Sequence, residues 1–114
     1  MKEIKAYVRP ERLAVIVSRL ETEGARDLTV TRVDAIGALA DTEKDRLRFF
    51  RNYAEKYSDI AKVEIGCADA EVNRFVGVLR ETSHTGERGD GRIFVLNVER
   101  AVNIRTGEEG EKAL

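Results

Sequence analysis

Cysteine, proline and histidine each occur once in these 114 residues, and tryptophan does not occur at all. The lone Cys67 excludes an internal disulfide framework and fits a reducing cytoplasm; on a strand it reads as a small buried apolar group. One His and one Cys, far apart in the chain, argue against a zinc site, and no other metal-ligating set stands out. Ser83 and His84 are adjacent but do not make a nucleophile–base–orienter set, so the chain reads as a non-enzyme, with His84 as a helix-end cap. No apolar run is long enough to span a bilayer, and no secretory leader is expected. Nor is one sign of charge in surplus. Twenty basic residues face 21 acidic ones, for a net charge of −1, which gives no electrostatic reason to expect nucleic acid or an anionic membrane as a direct partner.

What is present suffices for one core. Hydrophobic residues make up 42% of the chain, and the length suits a single domain over residues 1–114. The chain reads as two copies of one pattern. Ile4 to Val8 alternates as a strand, with Ile4, Ala6 and Val8 on one face and Lys5 and Tyr7 on the other. Pro10 stands where a helix would begin. Leu13, Ile16, Val17 and Leu20 then form one apolar helical face, and Gly24 stops it. Leu28 to Ile36 reads as the second strand. The second copy opens with a strand at Lys62 to Cys67, takes Asp69 as helix N-cap, and repeats the helical face with Val72, Phe75, Val76 and Leu79. It closes with a strand from Arg92 to Val98. Two strand–helix–strand units of this size predict an α+β, ferredoxin-like βαββαβ sandwich. Its helices should cover one sheet face. Val30, Val63, Ile65, Ile93 and Val95 are expected on the other, which would then need cover from further copies of the chain.

Two stretches fall outside that pattern. From Ala38 to about Asp59 runs a charged connection, far longer than compact domains ordinarily use and therefore of functional interest. Leu47, Phe50, Tyr53 and Tyr57 punctuate it at near-helical spacing, so a short amphipathic helix and a partner-binding role are expected there. The other stretch is Thr85-Gly86-Glu87-Arg88-Gly89-Asp90-Gly91-Arg92-Ile93-Phe94-Val95, with three glycines in six residues directly before an apolar strand. Glycines permit positive φ and close backbone approach, so successive amides can face one anion. The amides of Gly89, Asp90 and Gly91 can form such a nest, with Arg92 and Arg105 to offset phosphate charge.

These residues carry a family resemblance. Met1-Lys2-Glu3-Ile4-Lys5-Ala6, Arg9-Pro10, Leu28-Thr29-Val30-Thr31, the glycine-rich run and Ile104-Arg105-Thr106-Gly107-Glu108-Glu109 together resemble PII-type signal transduction proteins. The similarity spans nearly the whole chain except the middle of the long connection, and the last two motifs are the specific ones. The resemblance implies a cytoplasmic homotrimer with a long T-loop at about residues 38–60, a glycine-rich phosphate loop at 84–92 and a C-terminal loop at 101–110. It implies adenine nucleotide (ATP, ADP or AMP) as effector, bound in clefts between subunits, and a target protein, a transporter or metabolic enzyme, docked by the long loop. A membrane would be reached only through such a transporter. Site residues implied are Thr29, Gly37, Glu64, Thr85, Gly89, Asp90, Gly91, Arg92, Asn103 and Arg105.

The departures from the family pattern are equally specific. A Gly-Arg-Gln segment at the root of the long loop is here Gly37-Ala38-Leu39, and a lysine that pairs with 2-oxoglutarate is Ile60. Mg-dependent 2-oxoglutarate binding by the usual geometry is therefore not expected, and the role of Mg is left open. Glu87 and Asn103 replace further basic residues. Counting Ala38, Glu87 and Asn103, three cations are lost, each worth about 1.5–3 kcal/mol as a charge-assisted contact. ADP or AMP is then expected to compete well with ATP. Neither tyrosine context, Tyr53 or Tyr57, matches the family's modified segment. Two rival readings share the strand–helix order. An RNA-binding module would need aromatics on its sheet face, and the strand Lys62 to Cys67 has none. A small ferredoxin-like enzyme would need a general base, and none is placed.

Overall fold

The computed structural model describes residues 1–37 and 57–114. The described elements are β1 (Lys2–Val8), α1 (Leu13–Thr22), β2 (Thr29–Ile36), β3 (Tyr57–Cys67), α2 (Val72–Ser83) and β4 (Arg92–Asn97). The sheet is antiparallel in the order β2-β3-β1-β4, the ferredoxin-like arrangement that the doubled pattern predicts. Among the described residues no helix is long and apolar enough to cross a membrane.

The register explains which residues are buried. Ile4 faces Ile65 and Val95, Ala6 faces Val63 and Ile93, and Val8 faces Ala61. These side chains share one sheet face, and there they meet Ile16 and Leu20 of α1 and Phe75, Val78 and Leu79 of α2. Cys67 joins this core, and burial pushes its thiol up. The expectation that Val30, Val63, Ile65, Ile93 and Val95 line the open face is therefore wrong. All five share the helix-covered face, where Val30 and Val95 stay half exposed because β2 and β4 are edge strands. The open face instead carries Glu3, Lys5, Tyr7, Val33, Ala35, Ile60, Lys62, Glu64, Phe94 and Leu96, whose apolar centre is Ala35 and Ile60 packed with Tyr7 and Val33.

Three boundaries also move. Pro10 begins a short 3-10 turn, Pro10–Arg12, which leads into α1. Asp69 is not the N-cap. It opens a 3-10 turn, Asp69–Glu71, capped by Ala68, and Glu71 holds the N-cap position of α2; Glu71 Oε1 accepts the Ala68 amide (3.1 Å), and the Asp69 carboxylate accepts from the Met1 amino group (2.8 Å). β3 starts at Tyr57, not Lys62, and pairs with β2 out to Ile36↔Tyr57. Ser58 and Asp59 look like loop residues by polarity, but backbone pairing with β2 holds them in a strand. Tyr57, expected within the loop, thus has its backbone in β3. Leu47, Phe50 and Tyr53, and the short helix expected around them, lie outside the described residues.

Candidate functional site

The glycine-rich turn joins α2 to β4 and is organised by one carboxylate. Asp90 Oδ2 accepts the amides of Thr85 (2.8 Å) and Gly86 (2.9 Å), while Oδ1 accepts the Thr85 hydroxyl and Arg9 Nε (3.1 Å). Thr85 Oγ1 in turn accepts the Glu87 amide (3.1 Å). Burial opposes the charge on Asp90. The hydrogen bonds from Thr85, Arg9 and Gly86 outweigh that and hold its carboxyl well below the usual carboxylate range. The amides spent inside the loop are thus those of Thr85, Gly86 and Glu87. Asp90 presents its side chain to its own loop, so its contribution to a ligand would come from the backbone.

Arg9 is the residue sequence reasoning passed over. It is only 5% exposed, at the end of β1, and its Nη2 also donates to the Arg88 carbonyl (2.5 Å). Its guanidinium therefore ties two points of the loop to the sheet across some eighty positions of sequence. The signal available was the Arg9-Pro10 pair, which reads as a helix start; nothing local reveals a contact so distant. Gly91 makes the second anchor. Its φ is +104°, and a Cβ there would lie 1.7 Å from the Tyr7 carbonyl oxygen. Only glycine lets the loop lie this close against β1.

Beside this loop is a concavity of about 220 Å³, bounded by Tyr7 and Val8 of β1, Arg80 and Ser83 of α2, His84, and Asp90 to Ile93. Of the residues expected in the site it gathers Asp90, Gly91 and Arg92; Thr85 and Gly89 belong to the same loop. Arg92 stands opposite Tyr7 on the open face, and Tyr7 meets Phe94 edge to face (centroids 6.1 Å apart, 88°). Thr29 and Glu64 are direct cross-strand partners on that face, separate from the concavity. Glu64 ion-pairs with Lys62 (3.3 Å). The hydrogen bond between Glu64 and Glu3 raises the pKa of Glu3, helped by burial, and lowers that of Glu64, helped by Lys62. Glu3 thus keeps its proton more readily while Glu64 stays charged. Gly37 follows β2 directly, with φ +85°.

The C-terminal loop is a small turn of its own. Val102 bridges Glu109, and Arg100 ion-pairs with Glu109 (2.5 Å). Asn103 Oδ1 accepts the amides of Arg105 (3.0 Å) and Thr106 (3.1 Å), so its carboxamide oxygen is committed to shaping the turn. Arg105 is exposed beside the fully exposed Ile104. Neither Asn103 nor Arg105 lines the concavity of its own chain. Among the described residues no group of three or more His, Cys, Asp or Glu side chains could hold a metal ion.

Residues 1–108 match the family model described as "Nitrogen regulatory protein P-II". The chain is 40% identical over its whole length to nitrogen regulatory protein P-II 2 of Methanothermobacter thermautotrophicus, covering 97% of that protein. It is 36% identical to nitrogen regulatory protein GlnK2 of Haloferax mediterranei, again over the whole chain and 91% of the relative. A crystal structure of Arabidopsis thaliana PII bound to citrate superposes with a TM-score of 0.81 at 34% identity, covering 99% of this chain and 91% of that one. A family match across nearly the full length, on the fold and loops described above, establishes that the chain belongs to the nitrogen regulatory protein P-II family of signalling proteins.

Proposed function

We propose that this protein is a nucleotide-responsive regulator rather than an enzyme. It acts as a cytoplasmic homotrimer that binds an adenine nucleotide between subunits and controls a transporter or metabolic enzyme through the long connection between β2 and β3. The carrying observation is the loop held by Asp90, Arg9 and Gly91. Contacts within the chain itself fix the loop, which lowers the ordering cost of binding. In this reading the Gly89 to Gly91 amides and Arg92 take the phosphates, and Arg105 reaches them from a neighbouring subunit. Thr29 and Glu64 lie on the open face, which the trimer would cover, and serve the base or ribose of the nucleotide. Asn103 contributes through the turn it shapes, since its oxygen is already engaged.

The charge inventory sets the preference. With Ala38, Glu87 and Asn103 where the family pattern has cations, less positive charge is available for a γ-phosphate. ADP or AMP therefore competes well with ATP, without the usual Mg-dependent 2-oxoglutarate site. The plant relative solved with citrate makes small polycarboxylates a further effector class to include. The test is calorimetry on the whole chain with ATP, ADP, AMP and cyclic AMP, with and without Mg, 2-oxoglutarate, bicarbonate or citrate, alongside light scattering for subunit number. A trimer that binds ADP or AMP at least comparably to ATP is the expected result. Tight Mg-ATP binding strengthened by 2-oxoglutarate would overturn the reading of Ala38, Leu39 and Ile60, and a monomer would overturn the assembly.

A further inference from the structure

The last residue of α2 poses a problem that the family pattern does not answer. Ser83 is 93% buried by its 7% exposure, it borders the concavity beside the glycine-rich loop, and its Oγ has no hydrogen-bond partner among the described residues. A buried hydroxyl without a partner is unfavourable, and native structures rarely leave one. Its neighbour Thr82 shows the alternative, since that hydroxyl bonds back to the Val78 carbonyl (2.7 Å). Ser83 makes no such bond and stands at a cavity wall.

Two guanidinium side chains, Arg80 and Arg92, border the same space, beside His84 and the apolar or aromatic Tyr7, Val8 and Ile93. The one acidic side chain there, Asp90, is engaged by Thr85, Gly86 and Arg9. A helix C-terminus would ordinarily disfavour an anion. Here the Thr82 carbonyl is taken by Arg12 Nε (2.8 Å) and the Arg80 carbonyl by the His84 amide (3.1 Å), so two of the last four carbonyls are answered. We propose that this concavity is an oxyanion subsite, in which the Ser83 hydroxyl donates to a phosphate oxygen flanked by Arg80, His84 and Arg92. The phosphate is either the terminal one of the bound nucleotide or free inorganic phosphate. Only the first source rests on the nucleotide reading. Arg80 then restores, from α2, part of the positive charge missing at Ala38, Glu87 and Asn103.

The experiment follows amide resonances of the full-length chain during titration with inorganic phosphate, adenosine, AMP, ADP and ATP at low salt, with calorimetry in parallel. Expected are shifts at Ser83, His84 and Gly91 with phosphate or a nucleotide but not with adenosine. Ser83→Ala and Arg80→Gln should each weaken the responding ligands about 5- to 50-fold while adenosine binding is unchanged. Response to nucleotides alone assigns the subsite to the terminal phosphate. Response to free phosphate without nucleotide binding keeps the subsite and removes the nucleotide reading. If nucleotides bind yet Ser83 and His84 stay still, or if Ser83→Ala binds every ligand like the parent, the subsite is refuted and the nucleotide reading stands. Arg80→Gln, at an exposed position, keeps the test decisive should Ser83→Ala fold poorly.

Discussion

Replacing Gly91 by alanine tests the anchoring of the loop most directly. Two costs combine. A non-glycine residue at φ +104° departs from the allowed regions, which costs about 1–2 kcal/mol. The added Cβ would also sit 1.7 Å from the Tyr7 carbonyl oxygen and 2.8 Å from its carbon. Both are backbone atoms, so no side chain can swing aside, and relief requires β1 and the start of β4 to part; overpacking of this kind costs about 1–3 kcal/mol. The sum of about 2–5 kcal/mol, at about 4 °C per kcal/mol for a domain of this size, lowers Tm by roughly 8–20 °C. Gly86→Ala is the matched control. Its φ is +87°, but the nearest atom to a new Cβ is His84 Nε2 at 3.9 Å, so it bears the conformational cost alone and should fall by roughly 4–8 °C. Melts followed by circular dichroism at one fixed protomer concentration compare the two, because assembly makes Tm concentration-dependent. Equal Tm losses for the two variants would refute the argument that close backbone approach, rather than φ alone, demands glycine at position 91.

Other outcomes follow from the same geometry. Asp90→Ala removes the carboxylate that accepts from Arg9, Thr85 and Gly86, leaving Arg9 its bond to the Arg88 carbonyl, and should destabilise by about 1–3 kcal/mol in urea titrations, whereas Asp90→Asn should recover part of the loss by keeping an acceptor. Because the folded-state pKa of Asp90 is depressed, its stabilisation is complete above the unfolded-state value of about 4 and drains away as pH falls further; acid titration of the parent and Asp90→Asn should diverge there and nowhere above. Arg105→Ala should weaken nucleotide binding by about 1.5–3 kcal/mol in calorimetry while leaving the subunit number unchanged; unaltered affinity would remove the C-terminal loop from the pocket. Glu3, with its pKa raised by Glu64, contributes most when protonated and loses that contribution as pH rises through its folded-state value. Glu3→Gln donates without a titrating proton, so its melts should vary less with pH above the ordinary carboxyl range; an unchanged slope would show that the two carboxyls do not share a bond.

The element order was legible from the sequence because Ile4-Ala6-Val8 and the two i, i+3, i+4, i+7 faces are local periodic signals that burial enforces. Face assignment for Val63 and Ile65 was not. A strand's alternation says which residues lie together, but only the register, Ala6 opposite Val63 and Ile4 opposite Ile65, says which side the helices cover. The glycine-rich loop was visible as a loop, with Asp90 in it through its backbone amide. That its carboxylate organises the loop through Thr85, Gly86 and Arg9 was not legible, because the Arg9 contact is a tertiary one. Arg9, Arg80 and Ser83 escaped for the same reason: each matters through tertiary neighbours that no window of sequence contains. The beginning of β3 was missed because Ser58 and Asp59 carry loop-like polarity, although backbone pairing alone suffices to extend a ladder.

That ladder has a consequence for how such a protein diversifies. With Ile36 and Tyr57 pinned across from each other, the intervening stretch begins and ends at one fixed doorway, and the body of the domain closes without it. Lengthening a tethered segment is thermodynamically mild, at about 0.6 kcal/mol for each doubling. A lineage could therefore exchange this cassette wholesale, in length and in chemistry, while the sheet and helices beneath it go on folding as before.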